Sequence, residues 1–201
     1  MKQRFLPLGV CLGVLLVLLL GSVYLYPETR DLPRFPRQGV FYTVTPPAAI
    51  SADGTGWHGN LRLGTENKVI IYFFGGGIAL DDYTTAHSYS VARYDGFYFD
   101  TESWIMDYLA ESGIGAARED NPFRNWTIVG IPYTTGDMHI GQGSHVYAAG
   151  DGTKKTAQFH GYDNYTALMK LVRPYLGEPE ALLIMGTSAG GFGAALLAED
   201  V

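Results

Sequence analysis

The stretch ALLIMGTSAGGFGAAL, residues 181–196, decides the fold of this chain. Its first residues are apolar without alternation, which is the pattern of a strand covered on both faces. A Gly-Thr-Ser-Ala-Gly turn follows, and the small residues after it predict a helix lying close to the sheet. A buried strand, a sharp turn and a helix in this order are the means by which many serine enzymes expose their nucleophile.

The turn matches the pattern G-x-S-x-G, with Ser188 at its centre and Gly186 and Gly190 two positions away. In such a turn the serine backbone is strained, and side chains at the two flanking positions would clash. The N-terminus of the helix then faces the serine and favours developing negative charge. We therefore predict Ser188 as a catalytic nucleophile; the alternative is a glycine-rich turn with an incidental serine. No G-x-x-x-x-G-K-[ST] pattern of a phosphate-binding loop is present.

A second glycine motif, residues 75–77, directly follows the apolar run at 68–74. Acyl transfer requires backbone N–H groups that bind the oxyanion, one from the residue after the nucleophile and others from an earlier loop. An ordinary glycine turn is the alternative interpretation. The predicted N–H donors are Gly76, Gly77, Ile78 and Ala189.

Strand and helix patterns alternate along the rest of the chain. Apolar runs predict strands at residues 41–44, 60–63, 68–74, 126–131 and 181–185, and the first two are expected to pair. Apolar residues at helical spacing predict helices over 101–112 and 165–172, with residue 162 as an alternative start for the second. The alternation predicts an α/β fold with a mostly parallel sheet flanked by helices.

Composition excludes several classes of protein. Of the 201 residues 47% are apolar and 17% are charged, as in folded proteins. The net charge of −6 and the lack of a basic stripe argue against a nucleic-acid partner. The single cysteine, Cys11, lies in the N-terminal segment, so the rest of the chain forms neither a disulfide nor a cysteine metal site.

Residues 1–27 form a predicted signal-anchor or signal segment. The uncharged run at residues 5–26 reaches the roughly 20 residues that span a membrane, and the weak cleavage site after it favours an anchor over a cleaved signal peptide. Lys2 and Arg4 would hold the N-terminus in the cytoplasm. We expect an extracytoplasmic protein, membrane-anchored or secreted, with a linker at 28–37 and a domain at 38–201.

Four motifs resemble the pectin acetylesterase family: KVIIYFFGGG (68–77), NPFRNWTIVGIPYTTGDMHIG (121–141), FHGYDN (159–164) and GTSAGGFGAAL (186–196). The resemblance runs from about Gly39 to Val201. It implies an α/β-hydrolase fold, a Ser–His–Asp triad without metal or cofactor, and hydrolysis of O-acyl esters on carbohydrate or protein. It also implies roles for Ser188 as nucleophile and for Gly77, Ile78 and Ala189 at the oxyanion.

Three further residues fall inside these motifs but outside the triad positions, and we expect them to line the site: Asp137, His139 and His160. Asp137 is expected chiefly to organise its loop by hydrogen bonds. The chain has Ile78-Ala79 where members of the family often have Trp-Cys, so the resemblance does not fix substrate preference.

The α/β-hydrolase order places the acid and the histidine after the serine. Only 13 residues follow Ser188, and all five histidines precede it. We therefore expect the N-terminal part of a longer hydrolase, without its C-terminal part and inactive alone, because a serine hydroxyl without a base is a poor nucleophile.

The sequence favours an extracytoplasmic serine carboxylesterase that acts on O-acyl esters, chiefly O-acetyl groups of a polysaccharide. Two alternatives stay open. One is a membrane-anchored pseudohydrolase that binds a glycan or acylated ligand through the aromatic segment at residues 83–99. The other is a peptidase or lipase that shares only the serine turn.

Overall fold

The computed structural model describes residues 31–86 and 112–201. The predicted membrane segment at residues 5–26 lies outside these ranges, as do nearly all of the aromatic segment at 83–99 and of the helix predicted over 101–112. Within the described ranges, every helix is too short or too polar to cross a membrane.

The central sheet has five strands: β1 (Phe41–Val44), β2 (Gly59–Arg62), β3 (Lys68–Phe73), β4 (Thr127–Ile131) and β7 (Ala181–Gly186). Their order across the sheet is β1-β2-β4-β3-β7. A separate two-stranded hairpin consists of β5 (Gly143–Ala148) and β6 (Lys154–Phe159).

The expected mostly parallel sheet is wrong for this part of the chain, because the sheet is mixed. β3 pairs in parallel with β4 and with β7, whereas β1 with β2 and β2 with β4 are antiparallel. The first two strands pair as the sequence predicts. The connection from β1 to β2 contains no helix. Adjacent parallel strands need a long crossover connection, usually a helix, so β1 and β2 pair antiparallel.

The strand before the serine turn is less buried than its apolar sequence predicts. β7 lies at an edge of the described sheet, with only β3 beside it, and Leu182 is 44% exposed. In contrast, Ile71 of β3 and Val129 of β4 are fully buried. A lone sequence run does not reveal whether a strand has one neighbour or two.

The helices are α1 (Asp82–Ala86), α2 (Gly161–Val172) and α3 (Ala189–Leu196), with 3-10 turns at Gly113–Gly115 and Arg173–Tyr175. Leu168 and Val172 of α2 pack in one core cluster with Ile71 and Phe73 of β3 and with Leu197 after α3. The two longer helices therefore cover the same face of the sheet.

The opposite face of β3 contributes to a smaller cluster, since alternate residues of a strand point to opposite faces. Phe74 packs there with Ala52, Tyr133 and Ala189. This cluster joins the end of β3 to the first residue of α3, which is the point where both glycine motifs lie.

Candidate active site

Ser188 lies between β7 and α3 with φ 52° and ψ −124°. Positive φ is costly for a residue with a side chain, on the order of 1–3 kcal/mol, and such strain clusters at functional sites. The Ser188 side chain is exposed, and its carbonyl accepts the N–H of Gly191 at 2.9 Å. The strained strand–turn–helix that the sequence predicts is therefore present, and the positive end of the α3 dipole faces the serine.

Gly186 and Gly190 are sterically required at this turn. A Cβ atom at Gly186 would overlap the backbone of Gly190, and one at Gly190 would overlap the carbonyl oxygens of Phe73 and Phe74. Helix α3 consequently lies directly on the end of β3.

Gly75, the first glycine of the earlier motif, touches the turn itself. A Cβ atom there would overlap the carbonyl oxygen of Thr187 and lie 2.9 Å from both the Ala189 nitrogen and Ser188 Cβ. Thr187 also donates its N–H to the Phe73 carbonyl at 3.2 Å. Gly75 is not among the predicted donors, and its position immediately after a buried strand is the sequence signal for this close approach.

The predicted oxyanion donors are unpaired within the described part of the chain. There the N–H groups of Gly76, Gly77, Ile78 and Ala189 have no hydrogen-bond acceptor. Ile78 also packs against the cluster that contains Ala189. Unpaired N–H groups beside an exposed serine can bind the negative oxygen of a tetrahedral intermediate.

Asp137 organises the loop after β4, as its sequence context predicts. Its Oδ1 accepts the Thr135 hydroxyl at 2.7 Å and the His139 N–H at 3.1 Å, and its Oδ2 accepts the N–H of Gly161 at 2.7 Å. The carboxylate thus ties this loop to the first residue of α2.

His139 lies beneath the glycine loop and is buried. Its Nε2 is 2.7 Å from the carbonyl oxygen of Phe74, so this nitrogen carries the proton and donates it. Burial lowers the pKa of His139 to about 4, which leaves the ring neutral near pH 7. Because Nε2 is engaged with Phe74, His139 supports the loop from below and does not act on the serine through that nitrogen.

His160, in one of the family motifs, and His145, in the β5–β6 hairpin, are also hydrogen-bonded to carboxylates. His160, before α2, donates from Nδ1 to Asp163 Oδ2 at 2.7 Å, and His145 Nε2 lies 2.6 Å from Asp82 Oδ1. Hydrogen bonds from Gln142 and His160 lower the pKa of Asp163. None of these histidines is hydrogen-bonded to Ser188. Over residues 31–86 and 112–201, no cluster of three or more His, Cys, Asp or Glu could hold a metal ion.

Comparison with known proteins agrees with this geometry. The family model described as Pectinacetylesterase matches residues 47–201, which include the glycine loop, the Asp137 loop and the serine turn. This chain belongs to the pectinacetylesterase family. No match was found among curated proteins.

Solved structures extend the family assignment to the fold. Two crystal forms of the Wnt deacylase Notum from Drosophila match this pectinacetylesterase chain with a TM-score of 0.53. One is 19% identical and aligns 79% of this chain with 46% of its own; the other is 20% identical, with 80% and 44%. The chain therefore shares an α/β fold with Notum and spans less than half of the Notum length.

Proposed function

We propose that this pectinacetylesterase chain carries the nucleophile and oxyanion hole of a serine carboxylesterase. The observation that supports this most directly is the contact between two elements: an exposed, strained Ser188 and a glycine loop whose N–H groups have no acceptor within the described residues. Family membership supports the same reaction class.

In the proposed reaction, Ser188 Oγ attacks the carbonyl carbon of an ester and forms a tetrahedral intermediate. The negative oxygen binds the N–H groups of Ala189 and of the loop residues Gly76, Gly77 and Ile78, and the α3 dipole adds to their field. The C–O bond to the alcohol then breaks, the alcohol takes up a proton, and water hydrolyses the acyl-serine.

A proton acceptor for Ser188 is also required. His139, His145 and His160 are each hydrogen-bonded to another group. In this proposal the histidine and the acid of the triad lie outside residues 31–86 and 112–201.

The substrate class in this proposal is an acylated carbohydrate, with O-acetyl groups on a polysaccharide first among them. The family description, Pectinacetylesterase, supports an acetyl ester of pectin as the substrate. The uncharged run at residues 5–26 supports an extracytoplasmic location, through an anchor or a secretory signal.

The experiment is acetate release from acetylated pectin and from p-nitrophenyl acetate by the full chain, together with labelling by a fluorophosphonate probe. We expect release and labelling to be lost in Ser188→Ala. The matched control is Ser144→Ala, which removes an exposed hydroxyl from β5. Labelling that persists in Ser188→Ala would contradict the assignment, and binding of acetylated pectin without release or labelling would favour a non-catalytic role.

A further inference from the structure

Two consecutive residues with side chains, Met138 and His139, have φ values of 57° and 65°. Each such conformation is uncommon outside glycine and persists only where surrounding contacts impose it. Here Asp137 accepts the His139 N–H, and the Tyr133 hydroxyl oxygen accepts the Met138 N–H at 2.8 Å. The turn at residues 133–139 is therefore held in a strained form by its own side chains.

In this conformation the His139 ring lies between the end of β3 and helix α3. On one side Nε2 donates to the Phe74 carbonyl at 2.7 Å. On the other side the ring leaves no room for a side chain at Gly193, where a Cβ atom would lie 2.8 Å from His139 Cδ2. The ring also contacts Phe73 edge-on and Tyr133, with centroid distances of 5.1 and 4.8 Å.

The bond to Phe74 fixes the beginning of the glycine loop. The Phe74 carbonyl and the Gly75 N–H belong to one planar trans peptide, so a fixed carbonyl direction also fixes the direction of the Gly75 N–H and the position of the Gly75 Cα, where the loop begins. Without His139, the carbonyl of the buried Phe74 would lose this partner, and an unsatisfied buried acceptor is costly.

The same turn fixes the end of the loop. Ala79 donates its N–H to the carbonyl of Gly136 at 2.8 Å. Residues 76–78, whose N–H groups are proposed oxyanion donors, thus lie in a loop that is hydrogen-bonded to this one turn at both ends.

We propose that the turn at residues 133–139 holds the glycine loop (residues 75–78) in the conformation that binds the oxyanion. His139 is its positioning residue: it acts through the Phe74 carbonyl and touches no substrate. The effect on reaction rate rests on the proposed function, whereas the effect on loop conformation does not.

The test compares His139→Leu, which removes the donor, with His139→Gln, whose side-chain amide can donate to Phe74. The full chain is labelled with ¹⁵N-glycine, and the amide resonances of Gly75, Gly76 and Gly77 are recorded. We expect these signals to broaden or split in His139→Leu and to return close to their original positions in His139→Gln. Gly152 and Gly177, which lie in distant turns, serve as internal references.

The matched control is Leu168→Ala, a cavity in the core cluster that holds Ile71 and Phe73 and that does not include residues 75–78. The glycine signals of Leu168→Ala and His139→Leu are compared at temperatures equally far below the melting temperature of each variant. Sharp, unshifted loop glycines in His139→Leu would overturn the proposal, and so would equal broadening in Leu168→Ala.

A second measurement on the unaltered chain guards against a variant that does not fold. With ¹⁵N-histidine and ¹³C-carbonyl labels, His139 Nε2–H should give a slowly exchanging proton signal with a coupling to the Phe74 carbonyl. Absence of that proton would also overturn the proposal.

A rate measurement separates this inference from the proposed function. If the chain hydrolyses an ester, His139→Leu should lower kcat by about 10²-fold, the typical cost of losing an oxyanion donor, with KM little changed. His139→Gln should recover most of the loss. Equal kcat in His139→Leu and the original chain would contradict positioning, whereas a chain without activity but with the expected glycine signals would contradict only the proposed function.

Discussion

Gly75 and Ser188 are so close that a Cβ atom added at Gly75 would lie 2.9 Å from Ser188 Cβ. The glycine loop and the serine turn come from strands more than 100 residues apart, and the parallel pairing of β3 with β7 brings their ends together. The space between them admits backbone only. This contact is the geometric basis of the proposed site.

Gly75→Ala should therefore distort the site. The new methyl group would overlap the Thr187 carbonyl, which is backbone and cannot rotate away, so the loop or the turn must shift. We expect fluorophosphonate labelling of Ser188 to slow by at least about 10²-fold, the scale of one lost oxyanion donor. The control is Gly56→Ala, where no atom lies within 4 Å of the added carbon. Unchanged labelling in Gly75→Ala would contradict the contact.

Two adjacent glycines of α3 should respond in opposite directions. Gly190→Ala would overlap the carbonyl oxygens of Phe73 and Phe74, so we expect a marked loss of unfolding free energy. At Gly191 the added carbon would lie 3.8 Å from the Gly186 carbonyl, an ordinary contact. Gly191→Ala should stabilise the helix by about 0.5–1 kcal/mol. Urea unfolding measures both, and equal effects would show that α3 does not lie against β3 as described.

Substitutions of Ser188 should separate strain from chemistry. Glycine accepts a φ of 52° at little cost, whereas alanine keeps the strain. We expect the free energy of unfolding of Ser188→Gly to exceed that of Ser188→Ala by on the order of 1 kcal/mol, and its melting temperature to be correspondingly higher. Both variants should fail to react with the fluorophosphonate probe. Identical melting temperatures would contradict the strained turn.

Stability should fall as the pH drops from about 6.5 to about 4 because of His139. The unfolded chain takes up a proton near the ordinary pKa of 6.5, while burial holds the folded pKa at about 4. The contribution is complete above pH 6.5 and is lost progressively toward pH 4, to a total of about 3 kcal/mol. Asp163, whose lowered pKa lies below this window, adds its own loss at lower pH.

The measurement is urea unfolding at pH 7 and at pH 4.5 for the original chain and for His139→Gln. The variant should lose less stability between the two pH values. An equal loss in both would mean that His139 does not titrate as a buried group.

Local pattern was enough to predict the serine turn. The apolar run, the G-x-S-x-G spacing and the small residues after it act within about ten residues, and the structure gives Ser188 the strained backbone they require. The end of helix α2 at Val172 was also predicted, whereas its start at Gly161 lies four residues before the predicted 165 and one before the alternative start at 162.

Pairing between segments distant in the sequence was harder to predict from the sequence alone. The hairpin of β5 and β6 was not predicted, because only one residue of each strand, Tyr147 and Ala157, is buried and the alternation of apolar and polar residues is correspondingly weak. The antiparallel pairing of β2 with β4 was not predicted either, because the sequence of a strand does not reveal which strand it pairs with.

The sequence by itself determined most local elements of this protein: the five strands of the central sheet, the strained serine turn and the glycine loop, since each follows from short-range sterics and apolar spacing. Only the tertiary structure decided their relations. The partner of His139 is 65 residues away at Phe74, and Gly75 meets Ser188 only because β3 and β7 pair in parallel. Such contacts depend on strand order and helix placement, which are set by the packing of the whole core and not by any one segment.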